Sequence, residues 1–583
     1  MKRVVSPTGS ERRSGGAGAT GTAEDVARGL AAATATIAVL TATSRVLGFL
    51  RETVYASVFG ASAELDAFLV AQGVPNLVVG LVSSAIATAA TPLLAGVVAR
   101  GDREKAARTF SALANLVMMV TAVAMIPMAL MAEGVVRLMA PGFTAEQVRL
   151  AAGVTRVLLV ASLFVTWMNL LTGWLHACRR FFWPASTGIP FNVAMIAAAL
   201  FFGARYGAYA LAVGFTVGSL LRVLVQLPGV RRTGFRHRWC LDLADPGLRA
   251  ILGLLPALFL GYAVTEVNVL VDRMVASTQE EGTISALNYA FRLVTLPHGL
   301  LAMALVQALY PSLGAVSATA DREAFARLLG RGLGVLVVLL TPMTVALVVL
   351  RVPIVEFVYG RGSFDARDTL LTSLALAAYG LGLVPLALRD LANRALYAWQ
   401  DARYPAMVAV VAMLVNVVGD LMLGRWLGIT GLALATTLSF TIGFALLAAR
   451  LGRRYRALPW YPLAATAVKA LAAGVVAGMT MDAAYRWLRP VWAGGASGAG
   501  TGEALAELAL VTAPGLAGCA VYAGCLVLLR VREAEDVLEA ARRLVNRLAG
   551  RGRYGLVRGA AARLPAPTPG RDSNTRGDRR PHP

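Results

Sequence analysis

Apolar runs near twenty positions long, parted by short polar stretches, fill the chain from about residue 30 to about residue 530. They predict about fourteen membrane-spanning helices. The runs lie near 30–56, 65–98, 109–132, 149–175, 182–204, 208–229, 248–277, 284–316, 327–350, 368–398, 405–424, 429–450, 462–486 and 505–529. Helices are predicted rather than a closed barrel, because barrel strands would show short alternating segments instead of uninterrupted runs. Alternate loops collect the basic residues: Arg100, Arg103, Lys105 and Arg108, then Arg179 and Arg180, then Arg231, Arg232, Arg236 and Arg238, and onward to Arg450, Arg453, Arg454 and Arg456. The intervening loops are poorer in basic charge, and two of them, Gly60 to Glu64 and Thr278 to Gly282, hold none. Basic loops face the cytoplasm, so both termini are expected there.

Composition agrees with this reading. Of 583 residues, 57% are hydrophobic and 15% charged, with a mean hydropathy of +0.64, too apolar for a soluble chain of this size. The fold class expected is an all-α polytopic membrane protein. The net charge of +22 would point to nucleic acid in a soluble protein, but here the arginines sit in loops and tails, where they set topology and meet anionic lipid. No nucleic-acid partner is expected. Lys2, Lys105 and Lys469 are the only lysines. Cys178, Cys240, Cys519 and Cys525 show no paired spacing and the four histidines are scattered, so neither a metal site nor a disulfide framework is expected. The chain has no phosphate-binding G-x-x-x-x-G-K-[ST] run and no long polar loop to carry a catalytic site, so enzymatic chemistry and ATP-driven transport are not expected.

The informative residues are charges where hydrocarbon is expected. Arg45, Arg51, Glu52 and Asp66 fall within the first two spans, and a charge at mid-membrane costs roughly 2.5 to 3.5 kcal/mol on insertion scales. Such a cluster persists beside a cavity, a partner or a charged substrate. Arg45 and Glu52 share one helix face, Arg51 is turned away from it, and Arg292 shares a face of the eighth span with Asn288. Three guanidiniums facing one cavity would suit a diphosphate, each offering planar paired donors that stay protonated. The competing reading is that Arg45 and Arg51 reach a membrane interface or pair with Glu52, Asp66 or Asp272. Glu266 and Asp272 on the seventh span are candidates for binding a coupling ion. Asp390 and Arg394, four apart on the tenth span, are expected to pair, and Asp420 and Arg425 to anchor a span end.

An internal repeat sets the organisation. Glu52 and Asp272 each precede an Ala-Ser pair, at Ala56-Ser57 and Ala276-Ser277, and Asp66 stands before Pro75 as Asn288 stands before Pro297. Two parallel six-helix lobes result, meeting at an interface where repeat-built transporters bind substrate. The expected divisions are a disordered cytoplasmic leader over 1–29, an N-lobe over 30–232, a C-lobe over 233–456 and two further helices over 457–530. A basic cytoplasmic helix and disordered tail fill 531–583.

Read together, Ser44-Arg45-Val46-Leu47-Gly48-Phe49-Leu50-Arg51-Glu52, Asp66-Ala67-Phe68 and Val74-Pro75-Asn76-Leu77 resemble the opening helices of the MurJ/MviN family, the lipid II flippases of bacterial peptidoglycan synthesis. Ala140-Pro141-Gly142-Phe143, Tyr359-Gly360-Arg361-Gly362-Ser363-Phe364 and Arg394-Ala395-Leu396-Tyr397-Ala398, leading to Asp401 and Pro405, extend the resemblance in order along the chain. It implies a fold of the multidrug/oligosaccharidyl-lipid/polysaccharide exporter superfamily in the bacterial inner membrane. It further implies alternating access that carries lipid II from the cytoplasmic to the outer leaflet. By the same resemblance Arg45, Arg51 and Arg292 hold the lipid diphosphate, Asp66 and Asn76 join the substrate site, and the undecaprenyl chain rides a groove formed with spans thirteen and fourteen. Membrane lipids and other cell-wall synthesis proteins are the further partners it brings to mind, and an ion gradient or the membrane potential takes the place of any cofactor.

Two positions depart from the family pattern. Val78-Val79-Gly80 stands where the family commonly has a basic pair, and Thr295 where it often has an acid. The alternatives these leave open are a flippase for another polyprenyl-diphosphate-linked saccharide and a cell-wall scaffold that has lost transport.

Overall fold

A computed structural model describes residues 18–456, 460–493 and 501–535, with 537 and 539. All described regular structure is helical. The first half runs α1 (Gly18–Phe59), α2 (Ala63–Ala99), α3 (Arg103–Leu130), α4 (Ala132–Met139), α5 (Ala145–Ala177), α6 (Phe182–Ser186), α7 (Gly188–Tyr206) and α8 (Ala208–Arg231). The second half runs α9 (Pro246–Ser277), α10 (Thr283–Pro297), a π-helical turn (His298–Ala302), α11 (Met303–Ala318), α12 (Arg322–Val349), α13 (Arg351–Tyr359), α14 (Ala366–Leu381), α15 (Leu383–Ala398), α16 (Arg403–Leu427) and α17 (Ile429–Tyr455). Then come α18 (Trp460–Ala493) and α19 (Thr501–Leu528).

A helix stands at every predicted span. Among the described residues ten are long and apolar enough to cross a bilayer, or eleven when α14 and α15, bent by 42°, count as one span. The predicted spans outside that count are α1, α2 and α9. One expectation is corrected at the start of the chain: the helix begins at Gly18, so residues 18–29 of the expected disordered leader are helical. Ala19, Ala23 and Ala27 favour that state, and extending an existing helix avoids the cost of nucleating one. The expected basic helix and tail after 531 fall largely outside the described residues.

The order of elements recurs between the halves. Asp102 accepts from the Lys105 amide to start α3, as Asp321 accepts from Ala324 to start α12. Each of those helices is followed by a short one, α4 and α13, and then by a helix opened on a reciprocal cap, Thr144 with Gln147 for α5 and Asp365 with Asp368 for α14. Gly207 joins α7 to α8 at φ 55° and ψ −135°, and Gly428 joins α16 to α17 at φ 57° and ψ −135°, backbone that a side chain disfavours.

Packing follows the same division. α5 lies between α2 and α8, and α7 bridges α8 to α1; in the second half α17 packs against α14, α15 and α16. α2 meets α9 across the two halves, and α18 packs on α12 and α19. Asp401, in the loop after α15, ties that loop to α17 through Arg450 and the Tyr455 hydroxyl. Burial acts to raise its carboxyl, but the Tyr455 hydroxyl, Arg450 and the Tyr404 amide outweigh that and hold it below the usual carboxylate range.

The turn after α1 is fastened to the second half. Ser57 O accepts from the Ser363 amide at 2.8 Å, the Ala61 amide donates to Asp368 Oδ2 at 2.9 Å, and the Tyr289 hydroxyl donates to Gly60 O at 3.0 Å. Gly282 makes the approach possible, with φ 84° and no room for a Cβ against the Ala61 carbonyl. These contacts gather loops predicted to lie outside the cytoplasm and close that face.

Candidate binding cavity

A cavity of about 710 Å³ opens between α1, α10, the π-helical turn, α11 and α15. Arg45, Arg51, Glu52, Arg292, His298 and Asp390 are its charged or titratable lining. Pro297 removes a backbone donor at the end of α10, and the wider turn that follows presents the Gly299 carbonyl to α1. Arg45 Nη1 donates to that carbonyl at 3.1 Å.

Glu52 organises the charges. It is only 3% exposed, and its Oε1 lies 2.6 Å from Arg51 Nη2 and 3.6 Å from Arg292 Nε. Its Oε2 accepts from Asn288 at 3.2 Å. Arg51 is further held by Asn192 Oδ1 at 3.3 Å and lies over the Tyr55 and Phe191 rings. Arg51 therefore belongs to the cavity wall, its charge answered by Glu52. Arg45 is exposed and the Arg292 side chain is 50% exposed, so both keep guanidinium donors for a ligand. Arg222 of α8, which sequence reasoning passed over, stacks on the other residue of that wall, Phe191, at 4.7 Å.

Two of the residues expected in the substrate site lie elsewhere. Asp66 accepts from the Gly282 amide at 2.9 Å, the Ser285 amide at 2.7 Å and the Ser285 hydroxyl, so both its oxygens cap the start of α10. A carboxylate at a helix N-terminus is stabilised by the free amides there, which here belong to the other half of the protein. Asn76 is exposed on α2 and does not line the cavity. Asp66→Ala should leave the Gly282 and Ser285 amides unpaired and weaken the closed face by about 2 to 3 kcal/mol. In a protein with its cysteines replaced, buried Ile284→Cys is then expected to react faster with an impermeant maleimide; equal rates with and without Asp66 would refute the clamp.

The carboxylates on α9 have different surroundings. Asp272 Oδ1 accepts from Asn416 at 2.7 Å, and the same amide nitrogen reaches Asp420 Oδ2 at 2.6 Å. Asp420, expected to anchor a span end, is instead 1% exposed and part of this buried cluster, because α16 turns it toward α9. Glu266 is half-buried on α9 and is not part of the cluster. The expected Asp390 and Arg394 pair is also absent among the described contacts. Asp390 faces His298, with Nε2 to Oδ2 at 3.1 Å, while Arg394 lies over the Tyr310 ring at 5.3 Å. A second, apolar opening of about 920 Å³ runs between α12, α15 and α18, walled by Val345, Leu388, Leu471 and Val475, with Arg351 and Arg486 at its margin.

A family profile described as Lipid II flippase MurJ matches residues 55–493. Lipid II flippase MurJ of Burkholderia cenocepacia is 32% identical over 421 residues, which is 70% of this chain and 81% of the relative. Probable lipid II flippase MurJ of Vibrio cholerae is 31% identical over 518 residues, 85% of this chain and 95% of the relative. Among solved structures, a lipid II flippase MurJ in an inward closed conformation superposes with a TM-score of 0.69 at 24% identity, covering 84% of this chain and 99% of the other. An inward-facing multidrug resistance MATE family transporter of the MOP superfamily gives 0.60 at 15% identity, covering 72% and 96%.

Proposed function

The chain belongs to the lipid II flippase MurJ family, and from that premise we propose that it carries lipid II from the cytoplasmic to the outer leaflet of the bacterial inner membrane. The observation that carries the reading is the pair Arg45 and Arg292, which meet in one cavity from opposite halves with donors to spare. A diphosphate seated between them would replace water with two planar donor sets, and Glu52 would keep Arg292 aimed. The apolar opening beside α18 suits the prenyl chain, which can stay in a hydrocarbon setting while the headgroup crosses. No covalent bond is made or broken in this scheme, so the protein acts as a transporter and not as an enzyme.

Two lobes, spanning 30–232 and 233–456, would rock about the cavity, with the fastened turn after α1 releasing as the opposite face closes. Both termini lie in the cytoplasm in this arrangement. Rescue of a bacterium depleted of its lipid II flippase tests the function directly. The parent chain is expected to restore growth and to raise outer-leaflet lipid II. Growth failure by well-expressed protein, in a host shown to accept a close relative, would instead favour another polyprenyl-diphosphate-linked saccharide.

The cluster of Asp272, Asn416 and Asp420 supplies the energy coupling. Arg273, the next residue along α9, answers one of the two carboxylates that share the Asn416 amide, and a proton or a small monovalent cation would answer the other. Asp272→Asn is expected to leave the fold intact but to abolish the response of transport to an imposed ion gradient in proteoliposomes. An unchanged response would remove the cluster from coupling.

A further inference from the structure

We propose that His298, held by Asp390, is a proton-linked member of the diphosphate site; this rests on the function proposed above. His298 lies at the junction of α10 and the π-helical turn, at the position where the cavity wall bends. Its ring nitrogen Nε2 is 3.1 Å from Asp390 Oδ2, and the side chains are 14% and 24% exposed. The next residue along, Gly299, is the one whose carbonyl receives Arg45. One short turn therefore presents both the imidazole and the anchor of an anion-binding arginine to the same space.

The charges that face this imidazole can be named element by element. α1 contributes Arg45, with Arg51 and Glu52 deeper in the wall; α10 contributes Arg292. α15 contributes Asp390, with Arg389 Nη2 3.9 Å from its other oxygen. α11 adds Met303, and α12 adds no residue to the lining. With the cavity free of ligand, Asp390 balances either a neutral or a protonated ring. A diphosphate esterified at both ends brings negative charge that does not change between about pH 5.5 and 8, a span that brackets the ordinary imidazole range. Seating that charge beside Arg45 and Arg292 favours the imidazolium, so binding takes up a proton from water and is tighter at low pH. The imidazolium N–H forms as an O–H bond of hydronium or a buffer acid breaks, and no other bond changes. Thr295, one turn before His298, contributes a hydroxyl that donates back to the Arg292 carbonyl at 3.0 Å.

The test is equilibrium binding of a polyprenyl-diphosphate-linked sugar without a peptide, to detergent-solubilised full-length protein, at about pH 5.5 and 8. The parent is expected to bind about tenfold more tightly at the lower pH, because proton uptake is linked to binding. His298→Gln keeps a hydrogen-bond donor for Asp390 but cannot titrate, and is expected to show less than about a twofold difference. Arg45→Ala should weaken binding at both pH values while retaining the slope. A pH-independent parent, or a His298→Gln protein with the parent's slope, overturns this inference alone. A parent that binds at neither pH overturns the proposed function as well.

Discussion

Arg45→Ala and Arg292→Ala are each expected to abolish rescue of a bacterium depleted of its lipid II flippase, at expression matched to the parent. Each variant removes a charged, paired donor from a site where a buried diphosphate would otherwise remain under-neutralised. Truncating one partner of such a pair costs about 2 to 5 kcal/mol, which corresponds to roughly thirtyfold to several thousandfold in affinity. Folding should survive, because Arg45 is exposed and the Arg292 side chain is half exposed, and neither is the sole partner of a buried charge. Replacement by lysine separates charge from geometry. It retains a cation but loses the planar fork, so partial rescue is expected at either position. Rescue by both alanine variants would end the arginine mechanism while leaving family membership untouched.

Glu52→Ala should damage stability first and transport as a consequence. Glu52 is a buried carboxylate that answers Arg51 and Arg292 at once and holds Asn288. Its loss strands the Arg51 guanidinium, whose Nε already has no partner, against Tyr55 and Phe191. Breaking a buried pair from one side costs about 3 to 5 kcal/mol. A strongly lowered midpoint of thermal unfolding in detergent is therefore expected for Glu52→Ala, with Glu52→Gln intermediate because it still accepts a hydrogen bond. The double variant Arg51→Ala/Glu52→Ala should be less destabilised than Glu52→Ala alone, since the one charge left without its partner, Arg292, is half exposed to solvent. Additive losses in that cycle would show that the two residues do not stabilise each other.

What the sequence made legible were the apolar runs, each of which meets a helix in the structure, because hydropathy acts over one span at a time. The burial of Arg51 with its neighbour Glu52 was visible as one of two readings. Asp66 shows where such reasoning stops. A carboxylate in a span reads as a binding group, but its partners Gly282 and Ser285 belong to the second half, and only there does it become a helix cap. Asp390 shows the same limit. The four-residue spacing to Arg394 favoured a pair within α15, whereas packing turned Asp390 toward His298 and left Arg394 over Tyr310.

By itself, then, the amino-acid sequence determined that the chain is helical and membrane-embedded, roughly where its helices lie and which family it resembles. Those properties depend on hydropathy, caps and short motifs, all of which act over a few residues. Tertiary structure alone decided which charges share a cavity, that Asp66 fastens the two halves, that Asp272 and Asp420 share an amide and that His298 faces Asp390. Such pairings depend on how each helix is rotated about its axis when it packs, and that rotation is set by the combined fit of all its neighbours rather than by any stretch of sequence.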